Sequence, residues 1–243
     1  MRRQFPQEQE AWLQDIFETL NEADLQFLND AASLHVLEEG DLVPNTRDTI
    51  VRVESGLVKM AVTSDDRSLT VGIFGPNDSI VSPLFHSWES DLYYIQAQEQ
   101  SEVRVIPQAA VLELAQRNPE FQKALMQQLS WASWQLMNTI HMLAFYNLPQ
   151  RVAQVLVNLS EMFGRPDPKG GIKLGLRFTQ EELAELAGAR RETLSTVLQD
   201  FREDDILDLR YARIDIKNPD ALRKMAGAEP LPFLRSVRDG VSA

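Results

Sequence analysis

Apolar and polar positions between residues 178 and 216 alternate in a way that predicts two short helices separated by a glycine turn. Thr179 precedes Glu182 by three residues, which is the spacing of a capping box at a helix start. One apolar face follows, made by Leu183, Leu186 and Ala187. Gly188 then supplies the left-handed residue that commonly ends a helix, so a second helix is expected directly after it.

The second helix is predicted from apolar residues at the i, i+3, i+4 and i+7 positions, namely Leu194, Val197, Leu198 and Phe201. Burial of that face turns four polar side chains outward: Arg191, Glu192, Ser195 and Thr196. We interpret these four as candidate readers of DNA base edges, because two helices about a tight turn are typical of helix-turn-helix proteins. For a helix pair considered alone, a solvated polar face on a small bundle is an equal alternative.

Two short strands, 206–209 and 214–216, are predicted after the second helix. Arg210 and Arg213 lie at the tip of the hairpin between them, where they can meet a phosphate backbone. Helix, glycine turn, helix and basic hairpin in this order indicate a winged helix-turn-helix, a module that enters a DNA groove.

The pattern upstream is different. Residues 34 to 107 contain short apolar runs separated by Gly, Asp, Asn and Pro, which predict strands over 50–53, 57–62, 69–74 and 103–106. Several short strands at this spacing suggest an antiparallel roll or barrel. Before them, residues 1 to 33 are predicted to form one or two amphipathic helices, the second starting at Asn21.

A long helix is predicted from Asn118 to Asn147, because Asn118-Pro119 is a strong helix start and no breaker occurs before Pro149. Along it a stripe steps by four and three residues, at Leu125, Leu129, Ala132, Leu136, Thr139 and Leu143. That period lets two helices share a seam, so one interpretation is a homodimer interface. The other is that the stripe packs on the roll, and the pattern alone favours neither.

The 243-residue chain has a net charge of −12, which is unusual for a DNA-binding protein until the charges are placed along the sequence. From Phe145 onward there are 15 basic and 15 acidic side chains, so 9 of the 24 basic and 21 of the 36 acidic ones precede that residue. We expect the acidic half to stay away from phosphate while a locally basic surface of the other half approaches it.

Composition excludes several classes of protein. Without cysteine the chain has no disulfide, no thiol sensor and no cysteine-ligated iron–sulfur cluster. Three scattered histidines do not have the spacing of metal or haem ligands, and the sequence has neither a catalytic motif nor an apolar run of membrane-spanning length. We therefore expect a cytoplasmic protein that is not an enzyme, with no metal or other cofactor and no membrane partner.

Several of these segments resemble the CRP/FNR family of bacterial transcription regulators. Its C-terminal DNA-binding signature is similar to Thr179–Ala184, Gly188 and Arg191–Thr193. Its dimer-helix junction and its cyclic-nucleotide-binding roll are similar to 143–145, 151–156, 50–59 and 75–80. The resemblance implies an α+β fold with an N-terminal sensor domain containing an antiparallel β-roll (1–117), a dimerisation helix (118–147) and a C-terminal winged helix-turn-helix domain with a tail (148–243).

The candidate DNA contacts fall into two sets. Arg191 can grip guanine and Glu192 can accept a hydrogen bond from a cytosine amino group, so this pair is expected to read G·C base pairs. Many members of the family carry a further arginine where this chain has Thr196, so one guanine contact is expected to be missing. The candidates for phosphate contacts are Thr179, Gln180, Arg190, Thr193, Arg210 and Arg213.

The sensor half departs from the nucleotide-binding members of the family. Those members hold the ribose and the cyclic phosphate with a glutamate and an Arg-Ser pair, whereas this chain has Val81–Leu84 and Ser90–Leu92 there. Leu136 and Met137 stand where those members make polar contacts to the base. A buried phosphate without a cation is costly, so we expect no dependence on cyclic AMP. An apolar effector pocket and a simply packed core are both open for the same residues: Phe74, Ile80, Leu84, Phe85, Leu136 and Met137.

The sequence thus predicts a homodimeric, sequence-specific transcription regulator that binds double-stranded DNA at a roughly palindromic promoter site, with RNA polymerase as a further partner. Its two recognition helices would lie about 34 Å apart, one turn of DNA. The alternative is an effector-binding module whose helix pair mediates protein–protein contacts.

Overall fold

The computed structural model describes residues 15–46, 48–65, 67–81, 92–168, 170–210 and 213–227, with only the backbone of Arg210. Contacts among these residues separate two compact units. The first contains residues 15–60 and 73–134, and the second contains residues 61–72 and 135–227. The short segment 61–72 therefore groups with the C-terminal half of the chain although it lies in the N-terminal half of the sequence.

The described N-terminal half is built mainly from short strands. They are β1 (Ser33–Leu37), β2 (Thr49–Ser55), β3 (Val58–Ser64), β4 (Arg67–Phe74), β5 (Ser79–Val81), β6 (Tyr93–Ala97) and β7 (Ser101–Pro107). Strands β1, β7, β2 and β5 are hydrogen-bonded in that order in one antiparallel sheet, and β4, β3 and β6 are ordered in another. Val53, Val58 and Val103 are fully buried members of the core that β2, β3 and β7 share.

Polar side chains cap the starts of several of the helices. The helices are α1 (Glu22–Ala31), α2 (Gln108–Arg117), α3 (Pro119–Phe145), α4 (Leu148–Phe163), α5 (Gln180–Ala187), α6 (Arg191–Glu203) and α7 (Pro219–Ala226). Asn21 caps α1 and Asn118 accepts from the amide of Phe121 over 3.1 Å at the start of α3. Asn147 and Gln150 form a reciprocal capping box that starts α4 directly after α3 ends.

The second unit combines α4 to α7 with a small antiparallel sheet. Its strands are β8 (Gly164–Pro166), β9 (Ile172–Leu174), β10 (Leu207–Arg210) and β11 (Arg213–Ile216), ordered β10-β11-β9-β8. Helices α5 and α6 form the helix-turn-helix, and β10 with β11 forms the hairpin that follows it. This is the arrangement of a winged helix-turn-helix.

The structure confirms the α+β class, with an antiparallel N-terminal sheet, a long helix of 27 residues and a C-terminal helix-turn-helix. It adds elements that the sequence pattern did not predict, namely β1, β5, β6, β8 and α2. Strand β9 ends at Leu174, and the amide of the following Gly175 donates to the carbonyl oxygen of Phe163 over 2.8 Å.

One glycine fixes the turn between β2 and β3. Gly56 has a φ of 81°, and a Cβ atom at this position would collide with the carbonyl oxygen of Gln100 and the side chain of Ser101. The hydroxyl of Ser101 also accepts from the amide of Leu57 over 3.0 Å. The turn therefore packs directly on the start of β7 and leaves no room for a side chain.

We expect Gly56→Ala to destabilise the first unit more than Gly40→Ala does. Gly40 also has a positive φ of 91°, but nothing lies within 4 Å of a Cβ placed on it. Gly40→Ala should therefore lower the free energy of unfolding by about 1–2 kcal/mol through backbone strain alone. Gly56→Ala adds a collision and should lower it by more than about 3 kcal/mol. Urea unfolding followed by circular dichroism checks this, and equal losses for the two variants would contradict it.

Candidate nucleic-acid interface

The turn between α5 and α6 is made by one residue in the left-handed conformation. Gly188 has φ 60° and ψ 45°, and the amide of Ala189 donates to the carbonyl oxygen of Ala184 over 2.9 Å. This bond closes the C-terminus of α5, and α6 begins at Arg191 without an intervening loop. The predicted capping box at the other end of α5 is also present, between Thr179 and Glu182.

Arg151 of α4 holds the same turn through carbonyl oxygens at the end of α5. Its Nε donates to the carbonyl oxygen of Ala187 over 2.8 Å, and its Nη2 donates to that of Gly188 over 3.4 Å. The C-terminus of a helix attracts positive charge, so this position suits a guanidinium group. Partial burial lowers the pKa of Arg151 because desolvation disfavours the charged form, but an arginine stays protonated at neutral pH.

Helix α6 has one buried and one exposed face. The buried face consists of the four predicted residues, Leu194, Val197, Leu198 and Phe201. Opposite it, Arg191 and Glu192 are exposed in the first turn. Within the described part of the chain neither of these two side chains makes a hydrogen bond or an ion pair, so both charges are available to a ligand.

The N-terminus of α6 has no side-chain cap. Arg190 occupies the N-cap position with extended backbone, and its side chain accepts no bond from the first turn. The first amides of a helix have no partner within the helix, so here they and the nearby guanidinium groups of Arg190 and Arg191 form a place suited to an anion.

The other two predicted base readers differ from this pair. Ser195 is half-buried, whereas Thr196 is exposed. The hydroxyl of Thr196 donates to the carbonyl oxygen of Glu192 over 3.3 Å, one turn back in the same helix. A threonine bonded in this way offers a base its methyl group and an acceptor oxygen rather than a donor.

The predicted phosphate contacts lie at the starts of α5 and α6 and in the β10–β11 hairpin. Thr193 and Arg213 are exposed and Gln180 is half-buried, while the side chain of Arg210 is outside the described residues. The hydroxyl of Thr179 already donates to Glu182 Oε2 over 2.9 Å. A phosphate oxygen at Thr179 would have to displace that bond.

The exposed face of α6 continues beyond the residues that the sequence interpretation selected. Gln199 follows Ser195 by one turn and Arg202 follows it by two, and both line a groove that also includes Thr179 and Gln180. The Arg202 side chain is exposed, with its Nε 3.7 Å from Asp208 Oδ1. The i+4 and i+7 spacing from Ser195 is the sequence signal that identifies this extension.

The residues of the predicted dimer stripe on α3 differ in burial and do not form one exposed face. Leu125 and Thr139 are buried within the chain, Leu129 and Ala132 are half-buried, and Leu136 and Leu143 are exposed. The most exposed apolar side chains of α3 include Met126, Met137 and Ile140, each one residue beyond a predicted position. An interface on this helix therefore has to use its exposed positions.

The residues predicted to line an effector pocket are not in one place. Phe74 and Ile80 are buried in the core cluster of β2, β3 and β7, whereas Leu136 and Met137 are exposed. Leu84 and Phe85 lie outside the described residues. Among the residues that the structure describes, no group of three or more His, Cys, Asp or Glu side chains is arranged to hold a metal ion. No described helix is long and apolar enough to cross a membrane.

Comparison with known proteins adds an independent line of evidence. Residues 150–225 match the family model of the Crp-like helix-turn-helix domain. The transcriptional regulator SdrP of Thermus thermophilus is 28% identical over 185 residues, which cover 76% of this chain and 87% of that protein. A CRP-like cAMP-activated global transcriptional regulator of Mycobacterium tuberculosis is 32% identical over 108 residues, 44% of this chain and 48% of that protein.

Solved structures agree on the fold. A crystal structure of a putative transcriptional regulator of the CRP/FNR family from Eubacterium rectale superposes with a TM-score of 0.70 at 18% identity, covering 89% of this chain and 99% of that one. The matched domain spans the same α5–α6 pair that exposes Arg191 and Glu192. Residues 150–225 thus carry a Crp-like helix-turn-helix domain, and the chain as a whole is similar in sequence and in fold to transcription regulators of the CRP/FNR family.

Proposed function

We propose that this regulator is a homodimer that recognises a roughly palindromic promoter site, reads G·C base pairs with Arg191 and Glu192, and does not depend on cyclic AMP. On the promoter it would contact RNA polymerase. The observation that carries the proposal is the exposure of Arg191 and Glu192, unpaired within the described chain, at an uncapped helix start whose opposite face is fully packed.

The geometry of α6 supports base reading by its first turn. A recognition helix contacts base edges mainly with residues near its N-terminus, where the helix enters the major groove. Arg191 offers paired donors for the O6 and N7 atoms of guanine, and Glu192 offers an acceptor for the N4 amino group of cytosine. Phosphates beside the groove would meet the uncapped amides of α6 and the exposed side chains of Arg190, Thr193 and Arg213.

The exposed face of α3 supports a homodimer. Met126, Met137 and Ile140 are 65%, 66% and 62% exposed. Ser133 lies seven residues after Met126 and four before Met137, so it belongs to the same stripe of α3. Apolar side chains at this exposure favour burial against a partner, and a second copy of the helix presents a matching stripe. Two-fold symmetry would then pair two recognition helices with two half-sites.

Two features support independence from cyclic AMP. Leu136 and Met137 offer the adenine base no hydrogen bond, in contrast to the polar residues that the family resemblance implies for nucleotide-binding members. The segment after Val81 also lacks the arginine that would pair with a cyclic phosphate. A phosphate buried without a cation loses its hydration without compensation, so cyclic AMP would bind poorly.

Removal of either base-reading side chain should weaken sequence-specific binding. A duplex is first selected from a randomised pool with the unaltered chain, and dissociation constants are then measured by fluorescence anisotropy. Arg191→Ala and Glu192→Ala should each raise the dissociation constant for that duplex by about 5- to 150-fold, the effect of losing one good base contact. Binding of a scrambled duplex should change little, because phosphate contacts remain.

Arg223→Ala serves as the matched control for these variants. Arg223 is an exposed arginine on α7 that pairs with Asp220 and belongs to neither predicted contact set. Its loss should leave discrimination between the two duplexes unchanged. Equal effects of Arg223→Ala and Arg191→Ala would contradict base reading by Arg191.

A charge placed in the exposed stripe of α3 should separate the two chains of the proposed homodimer. Ile140→Glu brings two carboxylates together across a two-fold seam, so we expect it to sediment as a single chain at micromolar concentration where the unaltered protein sediments at twice that mass. Leu34→Glu, at an exposed leucine of β1, should remain a dimer. A monomeric unaltered protein, or a dimeric Ile140→Glu variant, would contradict the proposed interface.

Cyclic AMP should have no effect on DNA affinity. The dissociation constant for the selected duplex should be the same with and without saturating cyclic AMP, and titration calorimetry should detect no binding heat, because the segment after Val81 lacks an arginine to pair with the cyclic phosphate. A decrease of that constant on addition of the nucleotide would overturn this part of the proposal.

A further inference from the structure

The hairpin formed by the end of β3 and the start of β4 contacts the helix-turn-helix. Residues 61–72 group with the unit that holds α5 and α6, although more than a hundred residues separate them in sequence. Thr70 Oγ1 donates to Glu185 Oε2 on α5 over 3.3 Å. The neighbouring side chain, Leu69, reaches the turn at Gly188.

Two leucines lie against the backbone of the glycine turn. A Cβ atom placed on Gly188 would be 2.6 Å from Leu143 Cδ2 and 3.3 Å from Leu69 Cδ1. The absence of a side chain at Gly188 therefore permits the left-handed turn and also admits these methyl groups. With Arg151 bonded to the carbonyl oxygens of Ala187 and Gly188, the turn is held by three separate segments of the second unit.

The bond from Thr70 is also protected from water. Thr70 is only 3% exposed, and its partner Glu185 is half-buried on α5. At 3.3 Å this bond is longer than the roughly 2.5–3.0 Å of most O–H···O bonds, but the burial of Thr70 limits competition from water. This bond fixes α5 one turn before Gly188, while Leu69 fixes the turn itself.

The position of this turn sets the position of the base-reading side chains. Arg191 begins α6 three residues after Gly188, and no flexible loop lies between them. Hydrogen bonds to base edges tolerate donor–acceptor distances of only about 2.7–3.2 Å. A displacement of the turn by about 1 Å would therefore disrupt them, whereas phosphate attraction over longer distances would persist.

We propose that Leu69 and Thr70 are positioning residues for DNA recognition, which hold the α5–α6 turn so that Arg191 and Glu192 meet base edges in register. The inference rests on the proposed base-reading function of that pair. It assigns the β3–β4 hairpin a role in specificity without any contact between the hairpin and DNA.

The test measures specific and non-specific binding of the full chain separately. Leu69→Ala and Thr70→Val should each raise the dissociation constant for the selected duplex by about 2- to 30-fold, the range for residues that act on a site without contacting its ligand. Affinity for a scrambled duplex and the slope of binding against salt concentration should not change. A loss of folded protein would lower both affinities together and so is distinguished from a loss of positioning.

Conservative variants provide the matched controls. Leu69→Met keeps an apolar side chain of similar volume and Thr70→Ser keeps the hydroxyl, so both should restore specific affinity. Leu34→Ala removes an exposed leucine from β1 and should have no effect. Failure of both conservative variants to restore affinity would overturn the assignment.

A second measurement needs no DNA. Hydrogen exchange at the amide of Ala189, which bonds to Ala184, should be faster in Leu69→Ala at an unchanged unfolding midpoint, because the turn opens locally.

If the unaltered chain selects no duplex, the proposed function itself fails. If it selects one and both hairpin variants bind that duplex with unchanged affinity, or exchange at Ala189 is unchanged, the positioning role alone is wrong.

Discussion

The left-handed residue at Gly188 is the constraint on which the second unit depends. A β-branched or bulky residue rarely adopts φ 60°, and here the surrounding leucine methyl groups exclude a side chain as well. Because the turn is this short, the angle between α5 and α6 follows from one backbone conformation. That angle lets Leu194 and Phe201 enter the core while the opposite side of α6 remains in solvent.

Helix α3 has one face that packs inside the chain and another that is exposed to solvent. Phe121 and Leu125 pack into the apolar core of the first unit, and Gln128 donates to the carbonyl oxygen of Ser79 over 2.9 Å. Met137 and Ile140 remain exposed on another face. A substitution at Phe121 or Leu125 therefore affects packing within one chain, whereas a substitution at Met137 or Ile140 would affect the proposed association of two chains.

Local signals explain what the sequence predicted correctly. The capping box of Thr179 with Glu182 and the turn at Gly188 depend only on residues within one turn of each other, so the sequence alone predicts both. The short strands β5 and β6 could not be identified because their stability comes from hydrogen bonds to strands distant in sequence. The contact between Leu69 and Gly188 joins positions 119 residues apart, so no local pattern reveals it.

The face of α3 that a partner would use was ambiguous for a related reason. The predicted stripe through Leu125 and Leu136 and the exposed one through Met126 and Met137 both follow four-and-three spacing, and they differ by a rotation of about 100°. Only burial in the folded chain separates them. The role of Thr196 was equally hidden, because the choice between a bond to a base and a bond to Glu192 depends on a side-chain rotamer.

The uncapped start of α6 has a thermodynamic consequence. Replacement of a polar cap typically destabilises a helix by about 0.5–2 kcal/mol, so an arginine at this position leaves the free protein with an incompletely stabilised first turn. A phosphate that accepts from those amides supplies the missing interaction from outside the chain. If α6 binds DNA as proposed, ligand binding and local folding are linked equilibria, and a bound duplex should protect α6 against thermal fraying.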